Sequence, residues 1–354
     1  MADKTGIEWT DATWNPIVGC SVVSPGCTNC YAMSMARRIE AMHPASHYAG
    51  TAIKRKGGPV WTGEVRLAPD HIVLWPLRSQ KPRRIFVNSM GDLFHEAIPD
   101  AWIDRVFAIM ALAPQHTFQV LTKRADRMRA YCSSLGGHHE RDRVSLAAKT
   151  IFEETGFGGK GFWYTLRGGG AHLPNVWLGV SAEDQRRANE RVPDLLHTPA
   201  ARRFISAEPL LGPLDLSEIR VARRPGVVRV YRPLMGYWAE AEDLGNGGLR
   251  SLPAAQKASE SCGAIDQVIA GGESGPNARP MNPAWALSLR DQLQDFGTSF
   301  FFKQWGEWAP AADTHSRLPH HTFEDGRIVR RVGKHASGRR LDGQHHDAIP
   351  GALS

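Results

Sequence analysis

Three cysteines, Cys20, Cys27 and Cys30, stand within eleven residues at C-x6-C-x2-C spacing. Closely spaced thiolates suit a soft metal or an iron–sulfur cluster. The x2 pair grips neighbouring corners from one turn, and Pro25-Gly26 turns the x6 loop so that the third thiolate comes round. A structural zinc ion is the competing occupant, but it asks for four ligands. His43 and His47 lie 13 or more residues beyond Cys30, outside finger spacing. Cys132 and Cys262 stand alone and read as buried thiols or surface residues.

A second set of chemical groups follows a series of apolar runs. Met90-Gly91-Asp92 comes after one, Lys123-Arg124 after the next, then Ser181 with Glu183 and Asp184, then Glu208-Pro209. Gly272-Glu273-Ser274-Gly275 and Lys303-Gln304-Trp305 close the series. Repetition at the end of run after run is the pattern of βα loops gathered on one rim, where such folds place their chemistry.

The runs that must position these groups are Arg84–Ser89, Thr117–Thr122, Val176–Ser181, Arg203–Ala207, Gln267–Gly271 and Ser299–Phe302. A seventh is expected in Thr13 to Val18. Continuous apolar runs fit strands buried on both faces. Helical spacing lies between them: Pro99 to Ala113, Ser181 through Arg191, and Asn282-Pro283 through Gln294. Alternating strand and helix predicts an α/β fold, a parallel (β/α) TIM-type barrel, partial or full, of about six or seven strands. The barrel is expected over 1–310, with insertions at about 135–170 and 220–262 and a polar C-terminal extension at 311–354.

Composition narrows the classes. At 354 residues and 42% apolar content, the chain is a folded protein of ordinary character rather than a disordered one. No apolar run reaches the length of a membrane span, and the first residues lack the apolar stretch of a signal peptide. A cytoplasmic, reduced setting is therefore expected, with no membrane partner. The net charge of +7 permits an anionic partner. Arg220 to Arg232 holds five arginines and no acid, an arm for phosphate. Phosphate-loop, H-E-x-x-H and G-x-S-x-G motifs are absent.

The cysteine loop, whose last cysteine precedes Tyr31, resembles the cluster loop of radical S-adenosylmethionine (radical SAM) enzymes. It is three residues longer than the usual x3, x2 pattern, and Cys30-Tyr31-Ala32 is similar to the spore photoproduct lyase branch. Much of the chain resembles a family of bacteriophages and bacteria whose genomic companion is the three-Cys-motif partner protein. The resemblance lies in Ile7–Pro16, the cysteine loop, Asn88–Phe94, Leu121–Arg124, Gly179–Glu183, Ser206–Gly212, Gly271–Gly275, Lys303–Gly306, Gly333-Lys334 and Leu341–Gly343. That family has no settled substrate.

The radical SAM resemblance implies a [4Fe-4S] cluster on Cys20, Cys27 and Cys30, with S-adenosylmethionine on the open iron. One electron from the cluster, reduced by an external donor, cleaves the sulfonium C–S bond to methionine and a 5′-deoxyadenosyl radical, which takes hydrogen from the substrate. The resemblance implies that Gly91 admits the ligand's close approach and Asp92 accepts from its ammonium. Tyr31 would meet adenine, and Ser181, Glu183 and Glu208 would meet ribose or carboxylate. Lys123, Arg124, Glu273, Ser274, Lys303 and Gln304 remain for substrate, two lysines and an arginine suiting an anionic group. Two other functions stay open: a metal-stabilised nucleic-acid-binding or interaction protein without catalysis, and modification of a peptide or protein together with the three-Cys-motif partner protein.

Overall fold

The computed structural model describes residues 5–135, 138–157, 172–225, 227–245, 247–251, 260–310 and 317–351. Seven strands form one parallel sheet: β1 (Ala12–Trp14), β2 (Arg84–Val87), β3 (Thr117–Thr122), β4 (Val176–Ser181), β5 (Arg202–Ala207), β6 (Gln267–Gly271) and β7 (Ser299–Gln304). Each strand lies beside its predecessor in the chain, and β1 and β7 end the path. The α/β class and the strand order of a partial TIM-type barrel are thus as expected. Every residue of β4 and β6 is buried, which accounts for their mostly apolar sequences.

The helices are α1 (Tyr31–Met42), α2 (Asp100–Leu112), α3 (Ala125–Ser134), α4 (His138–Thr155), α5 (Gln185–His197) and α6 (Pro283–Asp295). In α2, Ile103, Val106, Phe107, Met110 and Ala111 are buried at the helical spacing their sequence shows, while Trp102 on the same stripe is half-buried. Each of the larger buried side chains contributes roughly 1.5–3 kcal/mol. The start of α6 is built as its sequence suggests. Asn282 Oδ1 accepts from the Ala284 N–H at 2.9 Å, and Pro283 takes the first helical position, where no N–H is needed. α5 begins at Gln185, later than Ser181, because Asp184 Oδ1 instead caps the Arg187 N–H at 2.8 Å.

Three segments depart from the sequence reading. The run in Thr13 to Val18 is divided: Ala12–Trp14 joins the sheet, while Ile17–Val18 pairs antiparallel with Arg66–Leu67. Asn15-Pro16 makes the break, since proline has no N–H for the ladder. The region expected as loop at 135–170 contains α4, whose Val144, Ala148 and Ile151 are buried at helical spacing. Its glycine-rich part at 158–170 lies outside the described residues. The 220–262 region forms an antiparallel sheet of Ile219–Arg224, Val227–Arg232, Tyr237–Asp243, Leu249–Ser251 and Glu260–Ser261. Beyond it, Trp308–Pro310 pairs with Ile328–Arg331, which pairs with His320–Thr322.

The chain falls into two compact units, Met1–Gly179 with Thr198–Arg202, and Val180–His197 with Arg203–Ser354. Among the described residues, no helix is long and apolar enough to cross a membrane.

Candidate functional site

In the first unit, parallel register aligns Trp14, Val87 and Val120, so the segments after β1, β2 and β3 leave the sheet on one edge. Gly19 sits in the left-handed region at φ 93°, and a Cβ there would lie 2.0 Å from the Glu64 carbonyl oxygen. Its N–H donates to the Met90 carbonyl at 3.1 Å. A Cβ on Gly91 would sit 3.0 Å from the Gly19 oxygen and 3.2 Å from that of Ile17. The close approach expected of a ligand at Gly91 is therefore made by the chain itself, and it brings Cys20 against Asp92.

Cys20 and Cys30 pack on one apolar floor of Val18, Ala32, Met33, Ala36, Met90 and their neighbours. Cys27 is buried at the end of a short turn over Pro25–Cys27, with the Ser24 hydroxyl 3.8 Å from its sulfur. The Cys30 N–H donates to the Cys27 carbonyl at 3.2 Å, and Cys30 then caps α1. Burial pushes the Cys20 thiol up to about 12; the Asp92 carboxylate adds to this and Arg124 opposes it. Burial also raises the Cys30 thiol, against the Ala32 N–H and Lys123, which favour the thiolate. Among the described residues, no three His, Cys, Asp or Glu side chains converge as they would on a single metal ion.

Asp92, 5% exposed, is saturated with donors. Oδ1 accepts from Phe94 N–H at 3.0 Å and Thr122 Oγ1 at 2.7 Å; Oδ2 accepts from Lys123 N–H and Arg124 Nη1, each at 3.0 Å. Arg124, 8% exposed, also donates from Nη1 to Cys20 Sγ at 3.7 Å, from Nη2 to Ser21 Oγ at 2.6 Å and from Nε to Glu96 Oε2 at 2.6 Å. His95 completes the network. Its Nδ1 accepts the Ala97 N–H at 3.1 Å, which leaves Nε2–H to donate to Ser21 Oγ at 3.0 Å. Burial, followed by Arg124, lowers the His95 pKa. Tyr31, 55% exposed, donates from its hydroxyl to the Ser89 carbonyl at 2.9 Å. Ser21, His95 and Glu96 escaped the sequence reading; the one signal was that His95-Glu96 follow Asp92 within a turn.

In the second unit, Ala207, Ala270 and Phe302 align across β5, β6 and β7. Glu208 and Lys303 then meet beyond the intervening β6 at 3.1 Å, and Ser206 Oγ donates to Glu208 at 3.4 Å. Glu183, wholly buried, pairs with Arg191 at 3.0 Å, and the same Arg191 nitrogen donates to the Ser181 carbonyl at 3.0 Å. Glu273 takes a two-armed pair from Arg279, Nε at 2.9 Å and Nη2 at 2.6 Å. Gln304 Nε2 donates to Ser274 Oγ at 2.9 Å, while its buried Oε1 has no hydrogen-bond partner among the described residues. Arg191 and Arg279 were not singled out from sequence, because neither sits at a strand end.

The arginine-rich segment is not a bare phosphate arm. Arg220 and Arg232 both pair with Glu218, and Arg229 lies 3.9 Å from the Trp238 ring centre with Glu240 3.6 Å away. A polar cavity of about 500 Å³ beside them is lined in part by Gln185, Asp215, Glu218 and Arg220, so acids offset its cations. Cys132 is buried in α3 and its thiol is pushed up to about 12 by burial. Cys262 is half-buried.

No curated protein and no solved structure matches the chain. A family model described as protein of unknown function (DUF5131) matches residues 4–350. With nearly the whole length matched, the chain belongs to the DUF5131 family.

Proposed function

We propose that this protein is an iron–sulfur enzyme of the radical S-adenosylmethionine type, with Cys20, Cys27 and Cys30 as ligands of a [4Fe-4S] cluster. The observation that carries the reading is the pair Cys20 and Cys30 on one apolar floor, with Cys27 in the turn between them and Arg124 donating to Cys20. The donor set fits such a cluster chemically: three thiols, a cation beside one of them, and a helix start under another. Both raised thiols are neutral at pH 7, so loading releases protons.

When bound, the cluster supplies the electron that splits the sulfonium C–S bond of S-adenosylmethionine, releasing methionine. The chain's own residues hold and shield that chemistry. Asp92 orients Arg124 and the Lys123 N–H, a positioning role in place of direct contact with the cofactor. Glu208, Lys303, Ser274 and Gln304 supply acceptors and a cation for substrate at the strand ends of the second unit. An anionic substrate, a one-electron donor and a reducing, cytoplasmic compartment belong to this reading. The nucleic-acid-binding alternative is weakened by the carboxylate partners of Arg220 and Arg232.

Anaerobic reconstitution with iron and sulfide tests the assignment. Absorbance near 400 nm and iron and sulfide in equal amounts are expected. One zinc per chain with no iron would overturn it.

A further inference from the structure

We infer that Arg124 is a positioning residue of the cluster rather than a substrate-binding one: it seats the Cys20 thiolate and balances its charge. The inference rests on the iron–sulfur reading above. Four of its five N–H donors are used, Nη1 by Asp92 and Cys20, Nη2 by Ser21, and Nε by Glu96. At 8% exposure, the single remaining Nη2–H is all it has left to offer a substrate. The residues it touches on the cysteine loop are consecutive, Cys20 and Ser21, so one planar fork holds both the sulfur and the neighbouring hydroxyl.

Each partner is itself held. Asp92 is anchored by Thr122 and by the Lys123 and Phe94 N–H groups, and Ser21 by His95. The guanidinium therefore reaches the sulfur from a preset direction. An N–H donated to a metal-bound thiolate withdraws electron density from sulfur, stabilises the reduced cluster and raises its potential. Outer partners of this kind typically change metal affinity by roughly 10- to 100-fold.

The test compares the full chain with Arg124→Gln, Arg124→Lys and Ser21→Ala after anaerobic reconstitution. Arg124→Gln strands the Asp92 charge, so the double variant Asp92→Asn/Arg124→Gln and Ser21→Ala provide folded comparisons, checked by circular dichroism. Two readouts are used: the potential at which the reduced-cluster paramagnetic signal appears, and the iron chelator concentration that strips half the metal. We expect a more negative potential and roughly tenfold easier stripping in Arg124→Gln and in the double variant. Arg124→Lys should recover part of the potential but not the retention, because an ammonium cannot hold Asp92, Cys20 and Ser21 at once. Unchanged potential and retention in a cluster-bearing Arg124→Gln would overturn this inference and leave the cluster assignment standing. Failure of the parent chain to take up iron would overturn the cluster assignment and this inference with it.

Discussion

Glu208 and Lys303 form an ion pair at 3.1 Å across Gly271, a residue with no side chain to hold them apart. A Cβ on Gly271 would lie 2.9 Å from Glu208 Oε1 and 3.5 Å from Lys303 Cβ, contacts that a flexible carboxylate can relieve. At Gly272 the same atom would meet the Trp305 carbonyl oxygen at 1.9 Å, and that backbone cannot yield locally. Gly271→Ala should therefore fold with a loss under about 1 kcal/mol, while Gly272→Ala should lose about 3 kcal/mol or more. Urea unfolding of the two variants measures the difference. Equal losses would contradict the packing described at this strand end.

The Asp92–Arg124 pair is buried, whereas Arg186–Glu190 lies on the outside of α5. Removing Asp92 leaves the buried Arg124 with only the exposed Glu96 as counter-charge. Asp92→Ala should cost about 3–5 kcal/mol, against under about 0.5 kcal/mol for Glu190→Ala. Chemical denaturation checks both, and a double-mutant cycle with Arg124→Gln should show strong coupling between positions 92 and 124. Additive losses would mean that the two side chains do not share one network.

His95 supplies a pH signature. Its folded pKa lies below the ordinary 6.5, first because it is buried and then because Arg124 and Arg127 face it, with Glu96 and Asp92 acting in the opposite sense. The unfolded chain therefore binds more protons here than the folded one just below pH 6.5. Stability rises with pH across that window and is lost as pH falls through it. The stability gap between the parent and His95→Gln should narrow from pH 7 to pH 5. Parallel curves would show that His95 does not titrate as its surroundings require.

The five cysteines should separate into two classes. Serine at Cys20, Cys27 or Cys30 should abolish or sharply reduce iron uptake. Serine at Cys262 should leave uptake intact, and Cys132→Ser should lower stability by roughly 1–3 kcal/mol through a buried hydroxyl without altering uptake. Iron and sulfide analysis of the five variants reads this directly. Uptake that survives in all three loop variants would contradict the assignment of the ligands.

Much of the sheet was legible because the middles of its strands are buried and rich in Val, Ile, Leu and Phe. The 220–262 sheet was missed because its strands mix arginine with valine, although Val228 and Val230 alternate with Arg229 as a half-buried strand requires. α4 was missed among charged and glycine-rich residues, since the buried stripe among its described side chains is short, Val144, Ala148 and Ile151. For the site, residue type identified the cysteines and the strand-end charges. It did not identify partners: Arg191 and Arg279 become visible only when the chain brings them to Glu183 and Glu273. Asp92 and Arg124 were each assigned outward roles as isolated residues, and their mutual contact turns both inward.

Formation of 5′-deoxyadenosine tests the central claim most directly. The anaerobically reconstituted protein, given dithionite and S-adenosylmethionine, should release 5′-deoxyadenosine and methionine in equal amounts, and the Cys27→Ser variant should release neither. A protein that carries the full cluster and binds S-adenosylmethionine, yet yields no 5′-deoxyadenosine under reduction, would contradict the account.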